Sequence, residues 1–166
     1  MRHTADAPPL SFESFFDAER TRLVRAVYLL TGNAGEAEEI VQDAFVAVWE
    51  RWDRVATAAS PVGYLYRTAM NRHRTARRRA MRRVRVAIGF AEGGDQFAAV
   101  DERDSLARAL TKLTMRRRQA LVLTELLGFD SVETGRAMNV SDITVRRLAS
   151  EARAQLRRDL GGEPDG

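Results

Sequence analysis

The chain has 166 residues, 45% of them hydrophobic, with 27 basic and 23 acidic side chains for a formal net charge of +4. This length and apolar content suit one ordinary globular domain or two small ones. The absence of cysteine excludes disulfides, thiolate metal sites and a cysteine nucleophile, which agrees with a reducing cytoplasm. No apolar run approaches the ~20 residues of a membrane helix, and MRHTADAPPL lacks an apolar signal core. A soluble cytoplasmic protein with no membrane partner is expected. All the basic residues except Lys112 are arginine. The planar guanidinium suits phosphates and base edges, but a GC-rich genome produces the same bias, and composition alone does not separate the two.

In chain order, a loose N-terminus at 1–10 precedes a first expected helix over 11–31, where Phe12, Phe15, Phe16, Leu23, Val27 and Leu30 recur near helical spacing and Gly32 closes the segment. The second helix, 33–53, opens on Asn33 as N-cap. It buries the series Ala37, Val41, Ala44 and Val48 at i, i+4, i+7 and i+11. Glu36, Glu39, Asp43, Glu50 and Asp53 share another side, around Val46. This acidic face would repel DNA, so it either meets a basic protein surface or neutralises arginines of the next helix. The sequence leaves the two even.

Pro61 is placed to open a third helix to about Val84, since its missing N–H costs nothing in a first turn. Residues 67–85 of that helix, RTAMNRHRTARRRAMRRVR, hold nine arginines and no acid. Arg67, Asn71, Arg74, Arg78, Arg82 and Arg85 lie on one face, with Leu65, Ala69, Ala76 and Ala80 on another. Like charges at i,i+4 repel by a few tenths of a kcal/mol per pair, so an outside partner must compensate. A stripe this long can follow several phosphates of one nucleic-acid strand. An alanine-rich opposite face makes lipid a poor rival. Tyr64 and Tyr66 could stack on unpaired bases.

The texture then changes. Residues 87–100, AIGFAEGGDQFAAV, have three glycines, no periodicity and only acidic charge, and read as a linker that extends to residue 103. Fully extended, 14 residues reach ~50 Å at ~3.4 Å each, so the flanking domains need not touch. Helical patterning returns over 101–113, 115–127, 131–138 and 141–160, ahead of a loose C-terminus at 161–166.

The expected fold is therefore all-α, with a three-helix bundle at 11–86, the linker at 87–103 and a four-helix domain at 104–160. The last two helices have helix-turn-helix grammar: a short helix, a stop at Asn139, which tolerates the left-handed conformation, then a longer helix capped by Ser141. Val145, Ala149, Ala152 and Leu156 face the core, and Gly135 lets the two helices approach. Thr144, Arg146, Arg147, Ser150 and Arg153 point outward, where a recognition helix meets DNA.

AEEIVQDAFVAVWERW followed by PVGYLYRTAMNRHRTARRR resembles region 2 of the extracytoplasmic-function (ECF) group of bacterial sigma-70 factors. LTMRRRQALVLTELLGFDSVETGRAMNVSDITVRRLASEARAQLRRDL resembles their region 4. The resemblance implies an alternative sigma factor, not an enzyme, with no catalytic residue, metal or other cofactor. Its partners would be core RNA polymerase and promoter DNA, and the sequence does not show whether an anti-sigma factor restrains it.

Residue by residue, the resemblance implies docking on the β′ clamp coiled coil through Glu39, Gln42, Asp43 and Phe45. It implies minus-10 strand contact and promoter melting through Tyr64, Arg67, Asn71, Arg74, Arg77 and Arg78. Minus-35 recognition would fall to Thr144, Arg146, Arg147 and Arg153, with Arg116, Arg117 and Arg118 near phosphates and part of the domain on the β flap. The linker, with Phe90 and Phe97, would run through the RNA exit path. Departures from the family pattern are Leu113-Thr114, Thr134-Gly135, Ile143, Leu148, Glu151 and Arg74. Glu151 falls where DNA contact is implied and would weaken it there, so an unusual minus-35 preference is expected. A stand-alone helix-turn-helix regulator, or a sigma-like protein that opens no promoter, is the alternative; neither a Gly-rich phosphate loop nor a convergent ligand cluster supports an enzyme.

Overall fold

The computed structural model describes residues 10–87 and 105–160, and every regular element among them is helical. Residues 1–9, 88–104 and 161–166, which hold nearly all of the expected linker and loose ends, lie outside the described residues, and Ala87, expected in the linker, is helical.

Helix α1 (Phe12–Thr31) is capped by Ser11, whose hydroxyl accepts from the Ser14 N–H at 3.2 Å. It stops at Gly32, in the left-handed region with φ 69°, where the cap N–H donates to the Tyr28 carbonyl. Helix α2 (Ala34–Trp49) starts at Asn33, which accepts from the Glu36 N–H at 3.0 Å. The expected single helix over 33–53 breaks at Arg51. A short α3 (Trp52–Ala56) follows, placing the Trp52 ring against Phe12 and Phe15 at 5.4 and 5.1 Å between centroids, with Val55 buried. These edge and tilted contacts add about 1 kcal/mol each to the apolar burial, enough to favour the bend.

Helix α4 (Pro61–Ala87) begins at the expected proline, with the Gly63 N–H donating to the Ser60 hydroxyl at 3.0 Å. Its buried side runs through Leu65, Tyr66, Ala69, Met70 and His73. The apolar face expected to continue through Ala76 and Ala80 leaves the bundle, since Ala76 is half-buried and Ala80, Met81 and Arg82 are exposed. The C-terminal turns of α4 therefore stand clear of the α1–α2 surface.

In the second half, α5 (Ser105–Thr111) and α6 (Met115–Leu121) precede a π-helical turn (Val122–Leu126) in place of a uniform helix to 127. Thr124 there turns its hydroxyl back onto the Ala120 carbonyl at 2.8 Å, a local bond that competes with regular helix geometry. Helix α7 (Ser131–Met138) opens on a capping box. Asp130 accepts from the Val132 and Glu133 N–H groups, while the Glu133 carboxylate accepts from the Asp130 N–H. Asn139, at φ 57°, ends α7, and Ser141 caps α8 (Asp142–Leu160) by accepting from the Thr144 N–H at 3.2 Å.

The two halves pack on each other. One apolar cluster runs from Phe15 in α1 to Ala152 in α8, and α7 lies against α4. Arg22 donates to the Leu127 carbonyl at 2.9 Å, Arg118 donates to the Leu30 carbonyl at 2.9 Å, and the Tyr66 and Phe129 rings meet edge-on at 5.3 Å. The two small domains that the patterning predicts, which need not touch, are here closed on one another through a shared core.

Candidate nucleic-acid interface and docking groove

Helices α1 and α2 frame a groove of about 480 Å³ lined by Phe12, Phe16, Val41, Phe45, Val46 and Trp49. Glu39, Gln42 and Asp43 are exposed on α2 as the sequence implied. Phe45 is corrected: it is only 3% exposed and packs on Phe16 at 4.7 Å between centroids, so it forms the groove floor rather than a projecting contact. The projecting apolar groups are Val46 and Trp49, the latter 63% exposed. Sequence reasoning missed Trp49, although Glu39, Gln42, Val46 and Trp49 fall at i, i+3, i+7 and i+10 on one stripe. Burial, then the neighbouring Glu39, raises the Glu36 carboxyl above its ordinary range. Among the described residues no salt bridge joins an α2 carboxylate to an α4 arginine.

Along α4, Arg67, Asn71 and Arg78 are exposed, and Tyr64, Arg74 and Arg77 are half-buried. The Arg67 guanidinium lies 5.8 Å over the Tyr64 ring centroid, a cation–π contact that orders both groups. Arg74 donates to the side-chain oxygen of Asn71, which is exposed on the same stripe. The expectation that Tyr66 stacks on bases does not hold in this closed state. It has no exposure, sits on Phe129, and its hydroxyl donates to Glu19 at 3.4 Å. His73 turns into the core, and the Arg85 side chain lies outside the described residues.

On α8, Val145, Leu148, Ala149 and Ala152 are buried, while Arg146, Arg147, Ser150 and Arg153 are exposed and Thr144 is half-buried. Each of these arginines is held by a carboxylate: Arg146 by Asp142, Arg147 by Glu151 and Arg153 by Glu125. Glu151 also accepts two bonds from Arg117, at 3.0 and 2.9 Å, which ties α6 to α8. These bonds from Arg117, then Arg147, hold its carboxyl below the usual carboxylate range. Glu151 is thus corrected from a group set against DNA to a strut between two helices. Of the three arginines of α6, Arg116 is exposed, Arg117 carries that strut and Arg118 is buried at 1% exposure, so Arg118 is not a phosphate contact here.

The turn itself is tight. A Cβ added at Gly135 would sit 2.7 Å from the Val140 carbonyl oxygen, and both the Asn139 and Val140 N–H groups donate to the Gly135 carbonyl.

The architecture is that of an all-helical DNA-binding factor: a helix-turn-helix unit beside a bundle that carries an apolar groove, an adjoining acidic face of α2 and an arginine stripe. Residues 15–83 match the Sigma-70 region 2 family and residues 103–156 match Sigma-70, region 4. The chain belongs to the sigma-70 family, within its ECF group, and is an alternative sigma factor directing RNA polymerase to promoters. It is 26% identical over 152 residues to the ECF RNA polymerase sigma factor SigM of Mycobacterium tuberculosis, covering 91% of this chain and 78% of that protein. It is 28% identical over 153 residues to the RNA polymerase sigma-E factor of Streptomyces avermitilis, covering 91% and 86%. Among solved structures, the complex of sigma factor RpoE with anti-sigma factor NepR from Bartonella quintana contains a chain of like fold. Its TM-score is 0.78 at 22% identity, covering 92% of this chain and 98% of that one. A chain in the complex of CnrH with the cytosolic domain of CnrY gives a TM-score of 0.64 at 23% identity, covering 92% and 89%.

Proposed function

We propose that the surfaces of this sigma factor divide as their charges do. The α1–α2 groove, lined by Gln42, Phe45 and Trp49, and the adjoining Glu39 and Asp43 of α2 dock on the β′ clamp coiled coil of core polymerase. Tyr64, Arg67, Asn71, Arg74, Arg77 and Arg78 of α4 melt the minus-10 element and hold its displaced strand. Thr144, Arg146, Arg147 and Arg153 of α8 face the minus-35 duplex, and part of the second half meets the β flap. The protein works in the cytoplasm as an initiation factor and catalyses no reaction of its own. RpoE is seen with the anti-sigma factor NepR, and that class of partner is extended here to this chain.

The observation that carries this reading is the separation of charge. Among the described residues, acids on α2 and arginines on α4 lie on adjoining helices without pairing across. Among the described residues the unneutralised stripe runs from Arg67 to Arg82, ~24 Å at ~1.5 Å per residue, and is costly unless phosphates receive it. The closed packing adds a step. Minus-10 and minus-35 elements lie about 25 base pairs apart, ~85 Å at ~3.4 Å per pair, whereas α7 touches α4. The halves must therefore separate when both elements are engaged.

The test is reconstitution with core polymerase on a promoter library. The wild-type chain should bind core and give transcription from a subset of promoters, while Asp43→Arg and Trp49→Ala should lose core binding with helicity unchanged. Normal core binding by both variants would remove the groove from the interface. Duplex binding that needs no core would favour a stand-alone regulator.

A further inference from the structure

Ile143, at the second position of α8, is 72% exposed, more than any other large hydrophobic side chain among the described residues. The core of the second half does not use it, since that face of α8 runs through Val145, Leu148, Ala149 and Ala152. Ile143 instead shares the outward stripe with Arg147 and Ser150, at i, i+4 and i+7. The leading end of a recognition helix is the part that reaches base edges in the major groove.

The charges around it are balanced. Arg146, Arg147 and Arg153 are matched one to one by Asp142, Glu151 and Glu125, and Glu151 is also bound by Arg117. Reading a guanine with one of these arginines would require giving up an ion pair, whereas an apolar side chain that enters the groove gives up only water. The major groove offers one apolar recognition group, the C5-methyl of thymine.

We infer that Ile143 is a specificity-determining residue that selects thymine in the minus-35 duplex by packing on its C5-methyl. The inference rests on the assignment of α8 to duplex reading. Ile143 supplies base choice that is insensitive to salt.

The test uses holoenzyme assembled from core polymerase and the full chain, selecting from promoter duplexes with a randomised minus-35 window. Each thymine in the selected sites is then replaced singly by deoxyuridine, which removes only the methyl group. Wild type should lose about fourfold in affinity at one or two positions, the factor expected for burying one methyl-sized group. Ile143→Ala should erase that loss, Ile143→Val should retain most of it, and both should fold normally because the side chain is exposed. Equal binding of thymine and deoxyuridine sites by wild type, or retained discrimination in Ile143→Ala, would overturn the inference while leaving duplex reading by α8 intact. A selection that returns no preferred window, with core binding normal, would overturn that reading and the inference together.

Discussion

The guanidinium of Arg118 donates to the carbonyl of Leu30 at 2.9 Å, joining two residues 88 positions apart in sequence. The same side chain also donates to the carbonyls of Thr111 and Leu113. It therefore gathers oxygens at the C-terminal ends of α1 and α5, where helix dipoles favour a cation. The side chain is 1% exposed, and its bond to Leu30 ties the second half to the first, while those to Thr111 and Leu113 stay within the second half.

Replacing Arg118 with Met should keep the bulk but orphan those carbonyls, at about 1–3 kcal/mol for each that water does not reach. A total loss near 3 kcal/mol is expected in urea unfolding, together with a larger radius of gyration by small-angle scattering. Arg118→Lys should recover less than half, because one ammonium cannot span all three oxygens with the geometry of a planar fork. A loss within about 0.5 kcal/mol, with the radius unchanged, would show that the contact does not hold the halves closed.

His73 should make stability depend on pH. Burial first, then Arg77 and Arg118, pushes its pKa down to about 4 from the ordinary 6.5, and neither ring nitrogen has a hydrogen-bond partner. The unfolded chain therefore binds the proton more readily than the folded one. The stabilisation is complete above about pH 6.5, declines as pH falls, and is lost through pH 4, with a ceiling on the order of 3 kcal/mol. Carboxylates titrate in the same window, so the informative quantity is the difference between wild type and His73→Leu. The variant should show a shallower fall of melting temperature between pH 6.5 and 4; parallel curves would mean that the imidazole charges freely in place.

Gly135→Ala sets two effects against each other. Alanine gains about 1 kcal/mol of helix propensity in α7. Its Cβ, however, would meet the Val140 carbonyl oxygen at 2.7 Å, and that oxygen is backbone in the turn and cannot swing aside. Overpacking of this kind costs about 1–3 kcal/mol, so a net destabilisation of about 1 kcal/mol is expected, with weakened duplex binding as α8 is re-aimed against α7. A variant as stable as wild type and unchanged in DNA binding would show that the turn yields without cost.

Thr134→Val should move stability the other way. The Thr134 hydroxyl is fully buried and finds no hydrogen-bond partner, while valine has nearly the same shape. Removing an unsatisfied buried hydroxyl should raise the unfolding free energy by about 1 kcal/mol. Calorimetry that shows a loss instead would mean the hydroxyl is bonded in solution.

The local elements were legible in the sequence because each rests on neighbours within a few positions. Asn33, Pro61, Asn139 and Ser141 begin or end helices where their chemistry places them, and α4 displays its arginines on the side that spacing assigned. The capping box of Asp130 and Glu133 was equally readable, as D-x-x-E, and was overlooked. Which charges remained available was not legible. Arg117, Arg118 and Glu151 look like surface charges by spacing, yet one is buried and two form a strut, because their partners lie 34 to 88 residues away. Phe45 and Tyr66 likewise belong to a helix face whose other wall only packing supplies. Periodicity thus determined the helices, the helix-turn-helix and the sign of each surface. The Arg146–Asp142 and Arg147–Glu151 pairs, at i,i+4, are also open to reading from spacing. Tertiary structure decided the closure of the halves, the exposure of Trp49 and Ile143, and the pairing of Arg153 with Glu125, since long-range contacts fix burial and charge pairing without leaving a local pattern.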